Sequence, residues 1–438
     1  MLRFQADSEL RMLWLRLRSD LAVEAQFRFL ALDREELIEA MAGHHSAYHE
    51  LDRNFGHALL YSNAYAAVSY WEGKGGTYYP PFPVLGLASD GGQIFLSCGG
   101  GGATAAKEVP NVVQAHRYDE TTGQMSTIAS LDTAKSVVVA LSYAPALELW
   151  LGCVGRGCKV LQLSVEKNTL TEVCEWETEE TGKPPSTNVA RCSPNGHLVA
   201  TGGTDGIVRI FEAAKLQSSP VLKHSCAKND EVLDLEFSPD NKVLASCDRT
   251  GLCRLWDPST GEETKSIDFK HAGTAVAIRA IRYLPPQEGQ QHFLCAMSAP
   301  RGPACLAIYN ADGNVVKDVK VHDKPLTAIA VDKTGQTVCV NLVTGGKRLY
   351  SLPNMRCLKK AENVHDLPAP CAVFVDSTAV SGSGDRSINL LSCKKSPGGG
   401  GTSCLYLLLL VAVMVAACFL IMRIGMKGAV LMDSPGEL

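Results

Sequence analysis

The chain has 438 residues, of which 46% are hydrophobic and 20% are charged, and its formal net charge at pH 7 is −4. These values are ordinary for a globular protein, and the length allows either two or three domains or one large repeat architecture. A sequence isoelectric point of about 6.3 indicates no basic surface for phosphates, which argues against nucleic acid as a partner.

Residues 1–72 are predicted to form an N-terminal helical extension. The stretch LDREELIEAMAG (Leu32–Gly43) combines strong helix formers with interspersed charges. His45 and His49 are four residues apart, a spacing that can hold a metal ion, but no HExxH motif or cysteine pair accompanies them. A solvated helical face is therefore the favoured interpretation. Charges also interrupt residues 1–20 too often for the apolar core of a signal peptide.

Residues 73–395 are predicted to form a seven-bladed WD-repeat β-propeller, which makes the fold class all-β. A strand–turn–strand unit recurs, and its clearest copies are NGHLVATGGTDGIVRIFE (Asn195–Glu212) and DNKVLASCDRTGLCRLWD (Asp240–Asp257). Ile94–Tyr118 supplies one further copy near the start. A period of about 40–45 residues with four short strands per unit is typical of a propeller. The closing strands of the other six copies are centred on Gln162, Arg209, Arg254, Ala307, Arg348 and Asn389. The steps between these centres are 47, 45, 53, 41 and 41 residues.

The first copy contains an unusual loop, SCGGGGATAAKEVPN (Ser97–Asn111). Four glycines follow a buried strand directly, and the loop takes about thirteen residues where sibling repeats turn in about four. Glycine backbone can adopt positive φ and approach a ligand, an ion or a partner closely. Asn111 at the loop end offers an acceptor and donors, and we expect its amide to be exposed and to contribute little to folding. The residues alone leave open a plain surface loop of glycine and alanine.

The C-terminal end is predicted to anchor the chain. Residues 405–422, LYLLLLVAVMVAACFLIM, contain no charge and are long enough as a helix to span a thin bilayer. They follow a glycine-rich linker, residues 396–404, and precede a short tail, residues 423–438. Because no earlier span or signal peptide is predicted, we expect the propeller to face the cytosol and the tail to face the lumen.

No segment carries a self-contained enzyme signature. Gly152–Lys159 approaches a phosphate-binding loop, but Cys158 separates its last glycine from the lysine, so a tight turn in the second blade is favoured. Ser381–Gly384 does not match G-x-S-x-G and lies in a predicted strand–strand turn. The sixteen cysteines are scattered without a C-x-x-C pair, which favours reduced thiols over a disulfide framework. Function therefore has to be sought in the loops on the propeller rim.

Several features together resemble one family. They are TYYPPFPVLGLASDGGQIFLSCGGGGATAAKEVPN (Thr77–Asn111), LVATGGTDGIVRIFE (Leu198–Glu212), the seven-blade layout and the predicted anchor. In this order they resemble the ER-membrane guanine-nucleotide exchange factors for the Sar-type small GTPase that starts COPII coat assembly, the family of the prolactin regulatory element-binding protein. The resemblance covers about residues 76–425.

The resemblance implies a site. In that family the glycine-opened loop binds a potassium ion and reaches into the nucleotide site of the GTPase, and an asparagine at the loop end is essential. By motif position the catalytic role falls on Asn111, while Glu108 stands where the family usually has glycine. The cofactor-binding positions are Gly99, Gly100, Gly101 and Gly102.

The implied function is exchange of GDP for GTP on a Sar-type GTPase at the ER membrane, in ER-to-Golgi transport. COPII coat components are further expected partners. No bond is made or broken, so the protein is expected to regulate an enzyme and not to be one. The alternative is a membrane-tethered WD-repeat scaffold without exchange activity, which would have no reason to keep Asn111 beside the glycines.

Overall fold

The computed structural model describes residues 76–394, apart from residues 103–108, 179–185, 218–219, 226–230, 269, 272–273, 288 and 300–301. The predicted helical extension, linker, transmembrane helix and tail lie outside the described residues, and so does Glu108. Within the part of the chain that is described, no helix is both long and apolar enough to cross a membrane.

Seven four-stranded antiparallel sheets form the described structure, and each sheet is one blade of a propeller. The prediction of an all-β fold with seven blades is therefore confirmed. The described residues contain thirty strands, β1 to β30 in chain order, and one short 3-10 turn at Ala213–Lys215. Two of the thirty strands, β18 and β19, make a separate hairpin between blades 4 and 5.

The strand bounds follow the chain from blade to blade. Blades 1 and 2 contain β2 (Val84–Ser89), β3 (Ile94–Gly99), β4 (Val112–Asp119), β5 (Gln124–Asp132), β6 (Val138–Ala144), β7 (Leu149–Val154), β8 (Gly157–Ser164) and β9 (Thr169–Glu177). Blades 3 and 4 contain β10 (Thr187–Cys192), β11 (Leu198–Gly203), β12 (Ile207–Glu212), β13 (Leu222–Ser225), β14 (Val232–Phe237), β15 (Leu244–Asp248), β16 (Leu252–Trp256) and β17 (Glu263–Asp268). The hairpin and blade 5 contain β18 (Lys270–His271), β19 (Thr274–Ala275), β20 (Ala277–Gln287), β21 (Gln290–Ser298), β22 (Ala304–Asn310) and β23 (Val315–His322). Blades 6 and 7 contain β24 (Leu326–Val331), β25 (Thr337–Leu342), β26 (Lys347–Ser351), β27 (Arg356–Ala361), β28 (Cys371–Val375), β29 (Thr378–Ser383), β30 (Ser387–Ser392) and, from the start of the chain, β1 (Thr77–Tyr78).

The strand–turn–strand unit recognised in the sequence comprises the second and third strands of a blade, so the strand that closes each copy is the third strand of its blade. In blade 3, for example, Arg209 lies in β12, and β13 pairs outside it. The outer strands are difficult to recognise in the sequence because they face solvent and lack the apolar pattern of the inner strands. The long step of 53 residues between Arg254 and Ala307 contains the extra hairpin β18–β19.

Burial within the blades follows from their face-to-face packing. The second strands are sandwiched between neighbouring sheets, and every residue of β15 and of β29 is buried. The outer strand β27, by contrast, is mostly exposed. Two buried faces on one strand require small or apolar residues throughout, which explains the runs LASCD and TAVSGS.

The propeller has two faces that differ in the connections they carry. Because strands alternate in direction within a blade, the connections from second to third strand lie on the same face as those that join neighbouring blades. We call this the loop face. The opposite face, which we call the turn face, carries the connections from first to second and from third to fourth strand. A central cavity of about 610 Å³ at the turn face is lined by residues of the first strand of every blade.

A charged cluster in this cavity joins three blades. Asp234 of blade 4 accepts hydrogen bonds from Arg191 Nη2 of blade 3, at 3.0 Å, and from Arg282 Nη1 of blade 5, at 2.5 Å. Glu236 lies 3.4 Å from Arg191 Nε, and burial raises the pKa of this carboxyl group. Two arginines and two carboxylates neutralise one another here, so the cluster serves to hold the blades together.

The ring closes in blade 7, where strands from the two ends of the described fold meet. Thr77 and Tyr78 of β1 pair with Asn389 and Ile388 of β30. The Asn389 amide donates to Thr77 Oγ1 at 2.9 Å, and the Tyr78 hydroxyl lies 3.2 Å from Thr127 Oγ1 in blade 1. Blade 7 is therefore completed by the segment that precedes blade 1, which removes a free edge from the ring.

Candidate functional site

The glycine-opened loop is the connection between β3 and β4 on the loop face of blade 1. It runs from Gly100 to Asn111, whereas the equivalent connections of the other six blades take two to five residues. The prediction that this loop departs most from its siblings is confirmed. Its base is closed by Gly99, which pairs with Val84 on one side and with Val112 on the other.

Two of the glycines are required by close packing at this base. A Cβ on Gly99 would overlap the carbonyl oxygen of Pro83, in the segment that enters blade 1. A Cβ on Gly100 would overlap Asn111 Oδ1 and lie 2.7 Å from the Asn111 Cα. Gly100 has a φ of 150° and Gly102 a φ of 84°, and both values favour glycine.

The remaining glycines leave the backbone open to solvent. Gly101 is exposed, and nothing lies within 4 Å of a Cβ built on Gly102. Residues 103–108 follow outside the described structure, and Val109 packs again against the core between blades 7 and 1. The four glycines thus divide into two that pack the base and two that leave the backbone accessible.

Asn111 is buried, with 5% of its surface exposed, and the expectation of an exposed amide is wrong. Its Oδ1 accepts a hydrogen bond from the Gly102 amide at 3.1 Å, and its Nδ2 donates to the Ala134 carbonyl at 2.8 Å. Its own carbonyl oxygen accepts from the Thr133 amide at 2.9 Å. The side chain therefore ties the glycine run to the connection between blades 1 and 2.

This geometry gives Asn111 a structural role that the sequence did not indicate. Ala134, its carbonyl partner, has a positive φ of 55° and donates its own amide to Asp132 Oδ1 at 2.8 Å. The hydrogen bond to Asp132 thus holds the turn at Ala134 independently of the contact with Asn111. A scaffold protein would keep such an asparagine for stability alone, so its presence does not discriminate between the two functional hypotheses.

A buried histidine supports the two strands that carry the loop. His116 of β4 has Nε2 2.8 Å from Ser97 Oγ of β3 and Nδ1 3.1 Å from Thr127 Oγ1 of β5. Its ring stacks on Phe95 with 4.8 Å between centroids. Burial lowers the pKa of His116 to about 3, so the ring is neutral at physiological pH. No motif in the sequence indicated this residue, because its partners come from two other strands, β3 and β5.

The two other segments considered in the sequence are structural. Gly155 and Arg156 form the tight turn between β7 and β8, as predicted, and Lys159 beyond it is buried against Glu172 and Glu175 at 2.7 and 2.6 Å. Its ammonium group is therefore already neutralised by two carboxylates.

Ser381 also belongs to a closed network. Its hydroxyl lies 2.7 Å from His365 Nε2, and Lys347 Nζ of blade 6 donates to it at 3.1 Å. His365, Ser381 and Lys347 are all buried, and burial with the nearby lysine charge lowers the pKa of His365 to about 4. The network joins blades 6 and 7 and offers no exposed nucleophile.

The chemistry of the loop suits a monovalent cation. The carbonyl oxygens of Gly99–Gly102 and Asn111 Oδ1 are neutral oxygen donors, the kind of ligand that potassium takes in proteins. Among the described residues no group of histidine, cysteine and carboxylate side chains could hold a metal ion. No disulfide bond is formed among the cysteines in that part of the chain.

The comparisons with known proteins identify the repeat. Residues 181–212 and 218–257 match the WD domain, G-beta repeat, and these stretches contain β10 to β12 and β13 to β16. Together with the seven sheets, this match defines the chain as a seven-bladed β-propeller with WD40 repeats.

The curated relatives are similar over part of their length. Telomerase protein component 1 of Rattus norvegicus is 24% identical over 56% of this chain and 10% of its own length. The cross-pathway control WD-repeat protein 2 of Flammulina velutipes is 24% identical over 42% of this chain and 53% of its own length. Striatin-4 of Homo sapiens is 24% identical over 45% of this chain and 33% of its own length. The chain thus spans about half or less of the length of these relatives.

Solved structures with the same fold include two from one coat. A chain of the structure "COPII on membranes, outer coat vertex" has a TM-score of 0.63 and 12% identity, over 74% of this chain and 86% of that chain. A chain of "The structure of the COPII coat assembled on membranes" has the same TM-score and identity, over 74% of this chain and 48% of that one. This likeness shows that the propeller fold is shared.

Proposed function

We propose that this protein is a guanine-nucleotide exchange factor for a Sar-type small GTPase, anchored in the ER membrane by residues 405–422. The observation that carries the proposal is the connection from Gly100 to Asn111. It is the longest second-to-third strand connection of the seven blades, it opens with backbone that lacks side chains, and its base is locked by three hydrogen bonds of Asn111. A long connection on a rigid base is suited to insertion into a partner's site.

Exchange requires no covalent chemistry from the propeller. A factor that binds the nucleotide-free GTPase more tightly than the nucleotide-bound form accelerates release of GDP, because the binding energy appears in the transition state for release. The exposed backbone at Gly101, beside the half-buried Gly102, would approach the phosphate-binding region of the GTPase. Asn111 is buried and would act by holding the loop in position, as a positioning residue.

A potassium ion would add to this rigidity when bound. The residues that would hold it are Gly99–Gly102, through their carbonyl oxygens, and Asn111, through Oδ1. The ion would supply fixed positive charge at the loop base. The rest of the arrangement is made by the chain itself, since Gly102 and Ala134 are joined through Asn111.

The predicted anchor is joined to the propeller by a short glycine-rich linker, residues 396–404. A glycine-rich linker of this length has a root-mean-square reach of about 16 Å. It would keep the propeller near the bilayer.

The test is a nucleotide-release assay with the full chain in detergent micelles. Sar-type and unrelated small GTPases loaded with fluorescent GDP are mixed with the protein, in potassium and in sodium buffer. Acceleration confined to the Sar-type GTPase, and stronger in potassium, is expected. Absence of acceleration with every GTPase would leave the membrane-tethered scaffold as the function of the rim.

A further inference from the structure

Among the described residues of the loop face, the exposed large apolar side chains lie in one sector. Ten such residues are exposed in the described part of the chain, and three of them lie on the loop face: Tyr79 at 57%, Val343 at 39% and Leu367 at 50% exposure. We call these three the apolar sector. The other seven lie on the turn face or on outer strands: Leu147, Val165, Val173, Val221, Val315, Val316 and Leu358. Single exposed apolar residues are normal, but their concentration on one side of a face is a mark of interaction sites.

The apolar sector is held on rigid connections. The Leu367 and Asp366 amides donate to Asp385 Oδ2 at 3.4 and 2.6 Å, and Ser383 Oγ donates to the Leu367 carbonyl at 3.0 Å. Val343 donates its amide to the Pro325 carbonyl at 3.0 Å. Leu367 and Val343 therefore keep their positions without a partner, which lowers the entropy cost of burying them in an interface.

The apolar sector is continuous with the glycine-opened loop. The His365 amide donates to the Gly345 carbonyl at 3.1 Å, which joins the turn of Val343 to the connection of Leu367. Tyr79 begins the segment that enters blade 1, and the carbonyl of Pro83 in that segment packs against Gly99 at the loop base. The sector therefore extends from the loop over blades 7 and 6.

The opposite side of the loop is charged. The loop-face turn of blade 2 carries Arg156, 3.9 Å from Glu177, and the two side chains are 47% and 77% exposed. A partner that receives the glycine-opened loop in its nucleotide site can lie on either side of the loop. On the blade 7 side it would bury apolar area, and on the blade 2 side it would bury solvated charge. Burial of apolar surface is the more favourable of the two.

We infer that the small GTPase contacts the apolar sector while the glycine-opened loop occupies its nucleotide site. This inference rests on the proposed function. It adds the footprint of the GTPase, meaning the surface of the propeller that it covers, which extends over blades 7 and 6 and away from blade 2. The loop acts on the transition state for nucleotide release. The apolar sector, by contrast, binds the nucleotide-bound and nucleotide-free forms alike, and uniform binding of this kind sets KM for the GTPase and not the maximal rate.

The test measures exchange by the full chain as a function of GTPase concentration. Leu367→Asp and Tyr79→Asp are expected to raise KM about tenfold each while the maximal rate stays within twofold of wild type. Matched controls are Leu147→Asp, an exposed leucine on the turn face, and Arg156→Glu on the blade 2 side, and both are expected to keep the wild-type KM. Thermal melts of each variant verify that the propeller is folded.

The outcomes separate the two proposals. If wild type accelerates release but the Leu367 and Tyr79 variants keep its KM, the footprint is wrong and the exchange function stands. A raised KM in Arg156→Glu alone would place the footprint over blade 2 and likewise overturn the inference. If wild type accelerates no GTPase, the proposed function fails and the inference fails with it.

Discussion

At the scale of single residues, Asn111 combines a stabilising contact with the proposed activity. Its amide is buried and joins Gly102 to Ala134, so removing it breaks two hydrogen bonds, one to the Gly102 amide and one to the Ala134 carbonyl. A hydrogen bond contributes about 0.5–1.5 kcal/mol, so the loss of both costs about 1–3 kcal/mol. The effects of substitution on stability and on exchange must therefore be measured together.

Asn111→Ala is expected to lower the free energy of unfolding by about 1–3 kcal/mol and to slow GDP release by about 30- to 1000-fold. Urea titrations measure the change in stability. Stopped-flow measurement of GDP release, at a temperature well below the melting transition, measures the change in exchange rate. The matched control is Asn188→Ala, because the Asn188 amide likewise donates to a backbone carbonyl, that of Val232 in the next blade, at 3.1 Å. The control is expected to lose stability and keep exchange. Equal exchange by Asn111→Ala and wild type would remove Asn111 from the mechanism.

A second residue prediction concerns pH. The pKa of His116 is about 3 in the folded protein because the ring is buried, whereas a histidine in an unfolded chain has a pKa of about 6.5. The unfolded state therefore binds more protons between these two values, and stability falls as pH decreases below about 6.5. Each pH unit in this window costs up to about 1.4 kcal/mol for one such group.

Urea titrations between pH 7.5 and pH 5 check this dependence. His116→Gln, which keeps hydrogen-bonding capacity without the titrating ring, is expected to be less stable at pH 7.5 and to lose less stability on acidification. The pKa of His365 is lowered to about 4, so part of the acid sensitivity remains in this variant. An identical pH dependence in wild type and His116→Gln would contradict the assignment.

At the scale of elements, the glycine-opened loop is an addition to a blade that does not require it. The equivalent connection in blade 3 consists of Thr204, Asp205 and Gly206, and the strands around it pair in the same antiparallel way. A replacement of residues 100–111 by Thr-Asp-Gly would therefore remove the loop together with Asn111 and the Gly102 amide bonded to it. The blade is expected to tolerate the exchange of one turn for another.

This loop replacement is expected to keep the circular dichroism spectrum and a cooperative melt, and to abolish nucleotide exchange. The experiment separates function from stability more cleanly than any point substitution, because the Ala134 carbonyl can then be reached by water. Retained exchange in the folded replacement variant would exclude the loop as the functional element.

At the scale of the whole molecule, ring closure depends on contacts between distant parts of the chain. β1 supplies only Thr77 and Tyr78 to blade 7, and further support comes from neighbouring blades. Glu120 of blade 1 accepts from Thr378 Oγ1 at 3.0 Å. Lys347 of blade 6 donates to the Asn389 carbonyl at 2.8 Å.

Deletion of residues 363–392 is expected to make the protein insoluble, since it removes three strands of blade 7 and exposes the apolar faces of blades 6 and 1. The control is a replacement of residues 269–275, which contain the β18–β19 hairpin outside the seven sheets, by Gly-Ser-Gly. This variant is expected to remain soluble with one cooperative melt. A soluble, cooperatively folded blade 7 deletion would contradict a closed ring.

A last prediction concerns the orientation of the whole chain. If residues 405–422 span the ER membrane as proposed, an epitope at the N-terminus is expected to be cleaved by protease added to intact microsomes, and an epitope after Leu438 is expected to be protected. The opposite pattern would place the propeller in the lumen, where it could not meet a cytosolic GTPase.

The amino-acid sequence by itself determined the number of blades and the position of the unusual loop. Both are local properties, because a blade is a run of short apolar strands separated by glycine and aspartate turns, and a loop of twelve residues among shorter ones is visible in the spacing. The tight turn at Gly155 and Arg156 was predictable for the same reason.

The tertiary structure alone decided which residues meet. Asn389 pairs with Thr77, which is 312 residues away in the chain. Thr77 belongs to β1, a strand of two residues that is too short to show any periodicity in the sequence. The burial of Asn111 depends on a turn at Ala134 that is brought to it only by the pairing of β4 with β5. The apolar sector likewise brings Tyr79 beside Val343 and Leu367 only because the ring is closed. Alternation of apolar and polar residues along a strand indicates which face of the strand is buried, but it does not indicate which blades are neighbours in the ring.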